Sequence, residues 1–259
     1  MWKLNYTAKK PALKNPILIE GLPGIGNVGK LAIDFIIDET GAKKIAEFHS
    51  DAFPHTVFVN EQNIVELPSI EVFAKQGKKQ DLLLLAGDVQ PLDEQSCYKF
   101  SGAVLDMAKE FNCKEIITLG GIAMKQVPKN PQVFLTGNSK AIISKYKKSA
   151  SLNSSLYGIV GPIVGVSGVL VGLAKRKNIN AVSMLAETYG HPMYLGVSGA
   201  RELIKAINNS LGLKLKMKQL EKELAGLEQE VAENPSISKG MTHKSLAKLR
   251  KGKDTSYIG

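Results

Sequence analysis

Residues 16–37 read PILIEGLPGIGNVGKLAIDFII. The apolar run Ile17-Leu18-Ile19 suits a strand, the glycines from Gly21 to Gly29 make a loop, and Leu31 to Ile37 continue as a helix. Strand, glycine loop and helix in that order open an α/β fold. Beyond this stretch, short β-rich runs alternate with amphipathic ones. Strands are predicted at 17–20, 45–48, 57–59, 70–73, 82–86, 115–119, 133–136 and 181–185. Several are apolar throughout, as a sheet covered on both faces requires. Helices are predicted at 27–38, 93–111, 140–148, 166–177 and 198–210. The alternation predicts a mixed sheet with helices on both sides. Between residues 45 and 75 the strands follow too closely for helices, with a turn at Gln62-Asn63. That portion is expected to extend the sheet in antiparallel fashion.

Three readings compete for the glycine loop. Gly24-Ile25-Gly26-Asn27-Val28-Gly29 satisfies G-x-G-x-x-G, with Glu47 about twenty residues on, where a ribose-binding acid would sit. Gly24 to Lys30 also reads G-x-x-x-x-G-K, but Leu31 replaces the Ser or Thr that holds magnesium in a P-loop. The third reading is structural: close glycines let backbone approach backbone and permit left-handed turns. Pro23 lacks the amide that a phosphate cradle would use. On pattern alone the cofactor reading, on Gly24, Gly26 and Gly29, and the structural reading both stand.

The chain has 259 residues, 44% of them hydrophobic, enough for one large α/β domain with an appendage. It contains no apolar run long enough to span a membrane, and Met1 to Asn5 begin no signal segment, so a cytoplasmic protein is expected. Cys97 and Cys113 lack metal-ligand spacing and are read as small buried hydrophobes. The histidines at 49, 55, 191 and 243 form no ligand pair, so no metal is expected. Ser167 misses the nucleophile-elbow spacing. Asp88, Glu187 and His191 follow strand ends and could share a crevice, as a proton carrier and a sugar-hydroxyl acceptor or as merely capped loop residues.

After Leu211 the pattern changes. Leu213, Met217, Leu220, Leu224, Leu227 and Val231 form a seam at 4-3 spacing. One reading packs this helix on its own domain; the other, expected one pairs it with another subunit. Pro235 ends it. The division expected is a core domain at 1–211, a coiled-coil-like helix at 212–234 and a flexible basic tail at 235–259. Much of the net charge of +10 lies there: six basic residues and no acidic one between Lys239 and Lys253. Such a tail is a solvated end, or it reaches an acidic protein surface; the lack of an aromatic platform argues against nucleic acid.

Five stretches carry a resemblance. GLPGIGNVGKLAIDFII (21–37) resembles the opening motif of the proteasome assembly chaperone 2 family. In order follow LLLLAGDVQP (82–91), TLGGIA (118–123), LYGIVGPIVGVSGVLVGLA (156–174) and AVSMLAETYGHP (181–192), each similar to a family motif. Together they span nearly residues 15–230. The resemblance implies a three-layer α/β/α domain similar to nucleoside phosphorylases, without phosphorylase activity and without a cofactor. It implies a homo-oligomer that contacts proteasome α-subunits or the finished core particle. Proteins that bind the proteasome often end in hydrophobic–Tyr–any residue; here Tyr257 is third from last, before Ile258 and Gly259, a partial match. These three residues are the expected partner contact. The alternative is a nucleoside- or nucleotide-binding enzyme using the glycine loop.

Overall fold

The computed structural model describes residues 2–60, 62–150, 152–156, 161–192 and 194–233. Among the described residues ten strands form: β1 Lys3–Tyr6, β2 Ile17–Gly21, β3 Lys43–His49, β4 Phe58–Val59, β5 Val65–Glu66, β6 Ile70–Lys75, β7 Leu82–Gly87, β8 Glu115–Met124, β9 Val133–Gly137 and β10 Asn180–Tyr189. The helices are α1 Val28–Thr40, α2 Glu94–Glu110, α3 Lys140–Ala150, α4 Val166–Arg176, α5 Val197–Leu211 and α6 Met217–Glu233.

Eight strands make one mixed sheet in the order β1-β3-β6-β7-β2-β8-β10-β9. The centre, β7-β2-β8-β10, is parallel. β9 closes one side antiparallel, and β6, β3 and β1 extend the other. Side chains alternate across it, as the pleat requires. In β2, Ile17 and Ile19 enter one core, with α1, α3, α5 and α6; Leu18 enters the other, with α2 and α4. The three-layer α/β/α expectation therefore holds. Local signals set the ends: Asp93 caps α2 by accepting from the Ser96 amide at 2.8 Å, and Gly41 (φ 63°) and Gly212 (φ 63°) close α1 and α5 in left-handed conformation.

Three expectations are corrected. β1 is an additional edge strand; its exposed, polar sequence carries no apolar run to reveal it. β4 and β5 do not extend the sheet but form a separate two-stranded hairpin. The heptad helix begins only at Met217, with Leu213 in the connector before it. Leu220 (0% exposed) and Leu224 (6%) are buried in the core of their own chain, beside α5 residues such as Leu203 and Ile207. Leu213 and Met217 pack against the same cluster. That part of the seam is covered by its own domain, not left open for a subunit. The side chains of Leu227 and Val231 lie outside the described residues.

Candidate functional site

The described parts of the five quoted motifs gather at one place, the carboxyl edge of the parallel strands. β2 ends at Gly21, and a short 3-10 turn, Ile25–Asn27, leads into α1. A side chain on Gly29 would run into the Leu119 carbonyl of β8, and one on Gly121 into the Ile25 carbonyl. Gly26 has φ +61°, and a Cβ there would lie 2.6 Å from Thr188 Oγ1 of β10. The Gly26 carbonyl accepts from the Gly196 amide at 2.7 Å. The glycines thus let the loop lie directly on β8 and β10. Lys30, the residue a P-loop would aim at phosphate, is 1% exposed and lies 3.0 Å from Asp34 and 3.9 Å from Asp88. Contact by contact, the geometry favours the structural reading.

Side chains from the other motifs tie this edge together. Gln90 donates to the Pro23 carbonyl at 2.6 Å and accepts from the Val166 amide at 3.3 Å, linking the glycine loop to the start of α4. Glu20 of β2, fully buried, accepts from Ser167 Oγ at 3.0 Å and from the Leu22 amide at 3.1 Å. Burial pushes its carboxyl up to about 7, the two hydrogen bonds offsetting only part of the effect. Thr118 Oγ1 donates to the Ser167 carbonyl at 3.0 Å. Above this polar layer opens a cleft of about 430 Å³, lined by glycines, aliphatic side chains, Gln90 and Ser167. Among the described residues, no ionisable side chain lines it. Past Gln90 it continues into a shallower depression beside Leu92, Tyr98 and Val164.

Asp88, Glu187 and His191 do not form the expected crevice. Asp88 follows β7 and accepts from the Ser69 amide and hydroxyl at 3.0 and 2.9 Å, with Lys30 nearby. Glu187 lies on β10, three strand spacings away, about 14 Å, and accepts from the Gln132 amide at 3.0 Å. His191 stacks on Tyr189, ring centres 5.7 Å apart. Asp88 and Glu187 each hold a loop amide and stand too far apart to share one site. Tyr257, Ile258 and Gly259 lie outside the described residues.

The same edge carries what sequence reading missed. Among the described residues, eleven large hydrophobic side chains stand exposed, and ten of them lie on segments at this edge. Five belong to the β4–β5 hairpin region: Val57, Val59, Ile64, Val65 and Leu67. Because Phe48 pairs with Ile70 and Ile70 with Gly87, the β3-to-β6 excursion leaves from the carboxyl edge. Ile25, Leu92, Tyr98, Val127 and Val164 follow the ends of the parallel strands or precede α4. Leu67, Leu92 and Val164 are 79%, 77% and 86% exposed. A gathering of this kind is a mark of an interaction face, since single exposed apolar residues would scatter. The alternation of apolar residues about Gln62-Asn63 was the available signal, but periodicity does not say whether a hairpin joins a sheet or projects from it. Among the described residues no helix is long and apolar enough to cross a membrane, and no three acidic, histidine or cysteine side chains group as metal ligands.

The profile of the PAC2 family matches residues 18–234. The crystal structure of Pyrococcus furiosus PbaB, described as an archaeal proteasome activator, is similar at TM-score 0.81 with 30% identity, covering 90% of this chain and 98% of that one. Pyrococcus furiosus PbaA, an archaeal homolog of proteasome-assembly chaperone, shares the fold at TM-score 0.72 with 22% identity, over 98% of this chain and 99% of that one. The uncharacterized protein MJ1210 of Methanocaldococcus jannaschii is 27% identical over 95% of this chain and 93% of its own length.

Proposed function

Because the chain belongs to the PAC2 family, we propose that it is a proteasome-assembly-chaperone-like protein, a non-catalytic homo-oligomer that contacts proteasome α-subunits or the core particle. The observation that carries this reading is the carboxyl edge: the place where an α/β enzyme holds its substrate is an apolar cleft, lined among the described residues by no charged group and continuous with an exposed apolar face. Acid–base work needs ionisable groups within hydrogen-bond reach of the reacting atoms. Glu20 lies beneath Ser167, a lining residue, and its two oxygens are engaged by Ser167 Oγ and the Leu22 amide. An apolar face instead suits burial against protein. In this reading the face joins copies of the chain. The basic tail then carries Tyr257, Ile258 and Gly259 to the α-subunits. PbaB, a similar structure at 30% identity, supports the proteasome as partner.

The test is functional. The purified protein is added to α-subunits alone and to finished core particles, with ring assembly followed by native mass spectrometry and peptidase activity by fluorogenic substrate. Faster ring assembly marks an assembly role, and raised peptidase activity an activator role. No change in either, together with a melting temperature raised by nucleoside, phosphate or nucleotide, would favour the enzyme instead.

A further inference from the structure

A second concave surface lies on the opposite, amino edge of the parallel strands. It is a groove of about 430 Å³ between the β6–β7 turn, the end of α1 and the α5–α6 connector. Five lysines line it, Lys75 from the end of β6, Lys78 and Lys79 from the turn, and Lys214 and Lys216 from the connector, against one acid, Glu39. None of the five lysines has an ion-pair partner among the described residues. The nearby Asp81 does not neutralise them: it is 8% exposed, and its oxygens accept from the Gly77 and Lys14 amides at 3.0 and 2.7 Å. The floor is apolar, with Leu82, Leu213 and Leu215.

The walls are set before any ligand arrives. Asp81 ties down the turn, and Asn208 Oδ1 accepts from the Leu215 amide at 3.0 Å. Gly212 and Lys214 both hold left-handed backbone, φ 63° and 59°, fixing the connector as a corner. A fixed groove loses less freedom on binding.

We propose that this groove binds an acidic peptide segment of a partner protein, with carboxylates meeting the lysines and interleaved apolar side chains resting on the leucine floor. Charge complementarity selects the occupant. The chain's own tail carries six basic residues between Lys239 and Lys253 and would be repelled. Nucleic acid would use aromatic side chains to stack its bases, and among the described residues none lines the groove. Because the groove lies at the edge opposite the apolar face, its ligand is independent of the proteasome reading.

The probe is a short fluorescent peptide of alternating glutamate and leucine, titrated with the full chain at low salt and read by anisotropy. It should bind, and the glutamine–leucine and glutamate–serine counterparts should bind at least about tenfold more weakly. Lys79→Glu combined with Lys216→Glu should weaken binding about tenfold or more, as two ion pairs are lost and two repulsions gained. Lys79→Arg with Lys216→Arg should keep it, and circular dichroism should show both variants folded. Equal binding of all three peptides, parental affinity in the folded Glu variant, no binding at all, or stronger competition by an oligonucleotide or inorganic polyphosphate would each overturn the proposal.

Discussion

Glu20 is the residue whose protonation the fold controls most. Its carboxyl rises from 4.5 to about 7 because it is wholly buried under Ser167 and Leu22. The folded state therefore holds the proton more tightly than the unfolded chain does. The favourable contribution is full below about 4.5, declines as pH rises and is lost above about 7. A shift of this size corresponds to something on the order of 3 kcal/mol. Glu20→Gln should thus stabilise the protein at pH 8 and flatten its denaturant midpoint between pH 5 and 8; an unchanged slope would mean that Glu20 does not titrate there. Gly26→Ala meets two obstacles, a left-handed backbone and Thr188 Oγ1, and should cost about 2 kcal/mol or more, seen as a lower melting temperature. A variant as stable as the parent would leave the packing account of the loop without support. These glycines were plain in the sequence, but their reason was not. Gly29 and Gly121 are small because of Leu119 and Ile25 carbonyls, contacts that only the assembled sheet brings together. Gln90 likewise stood inside a quoted motif, while its role as a tie between Pro23 and Val166 depends on residues far away in the chain.

At the scale of elements, the central strands were legible because burial on both faces demands apolar runs, as in β7. β1 escaped because an exposed edge strand has no such demand on it. The helix α6 shows the limit of periodicity most clearly. The 4-3 spacing states which side of a helix is apolar, not whether another subunit or its own domain covers that side. Leu220 and Leu224 are covered by their own core. Leu220→Ala should therefore destabilise the fold by about 3 kcal/mol while leaving the particle mass unchanged. Light scattering that showed a smaller particle of undiminished stability would return α6 to the subunit interface. The β4–β5 hairpin makes the complementary case. Two strands alone are marginal in water, yet this pair exposes Val57, Val59, Ile64, Val65 and Leu67. Burial against a partner would stabilise it.

The whole molecule is polarised along its strands, with an apolar face at the carboxyl edge and a lysine-lined groove at the amino edge. If copies associate through the apolar face, Leu92→Glu with Val164→Glu should reduce the particle mass in light scattering with the far-ultraviolet circular dichroism unchanged; a parental mass would remove that face from the interface. The proposed function requires that this protein bind the proteasome, with Tyr257, Ile258 and Gly259 as the proposed contact. Several weak tails on one oligomer would act together, raising avidity by about 10²–10⁴ where their reach fits the partner ring. The direct measurement is analytical ultracentrifugation of the full chain, and of a chain lacking residues 256–259, each mixed with proteasome α-rings. The full chain should co-sediment with the ring, and the truncated chain should sediment apart from it while keeping its own mass. A full chain that sediments separately from the ring would contradict the claim of binding; a truncated chain that still co-sediments at parental affinity would contradict the tail as the contact.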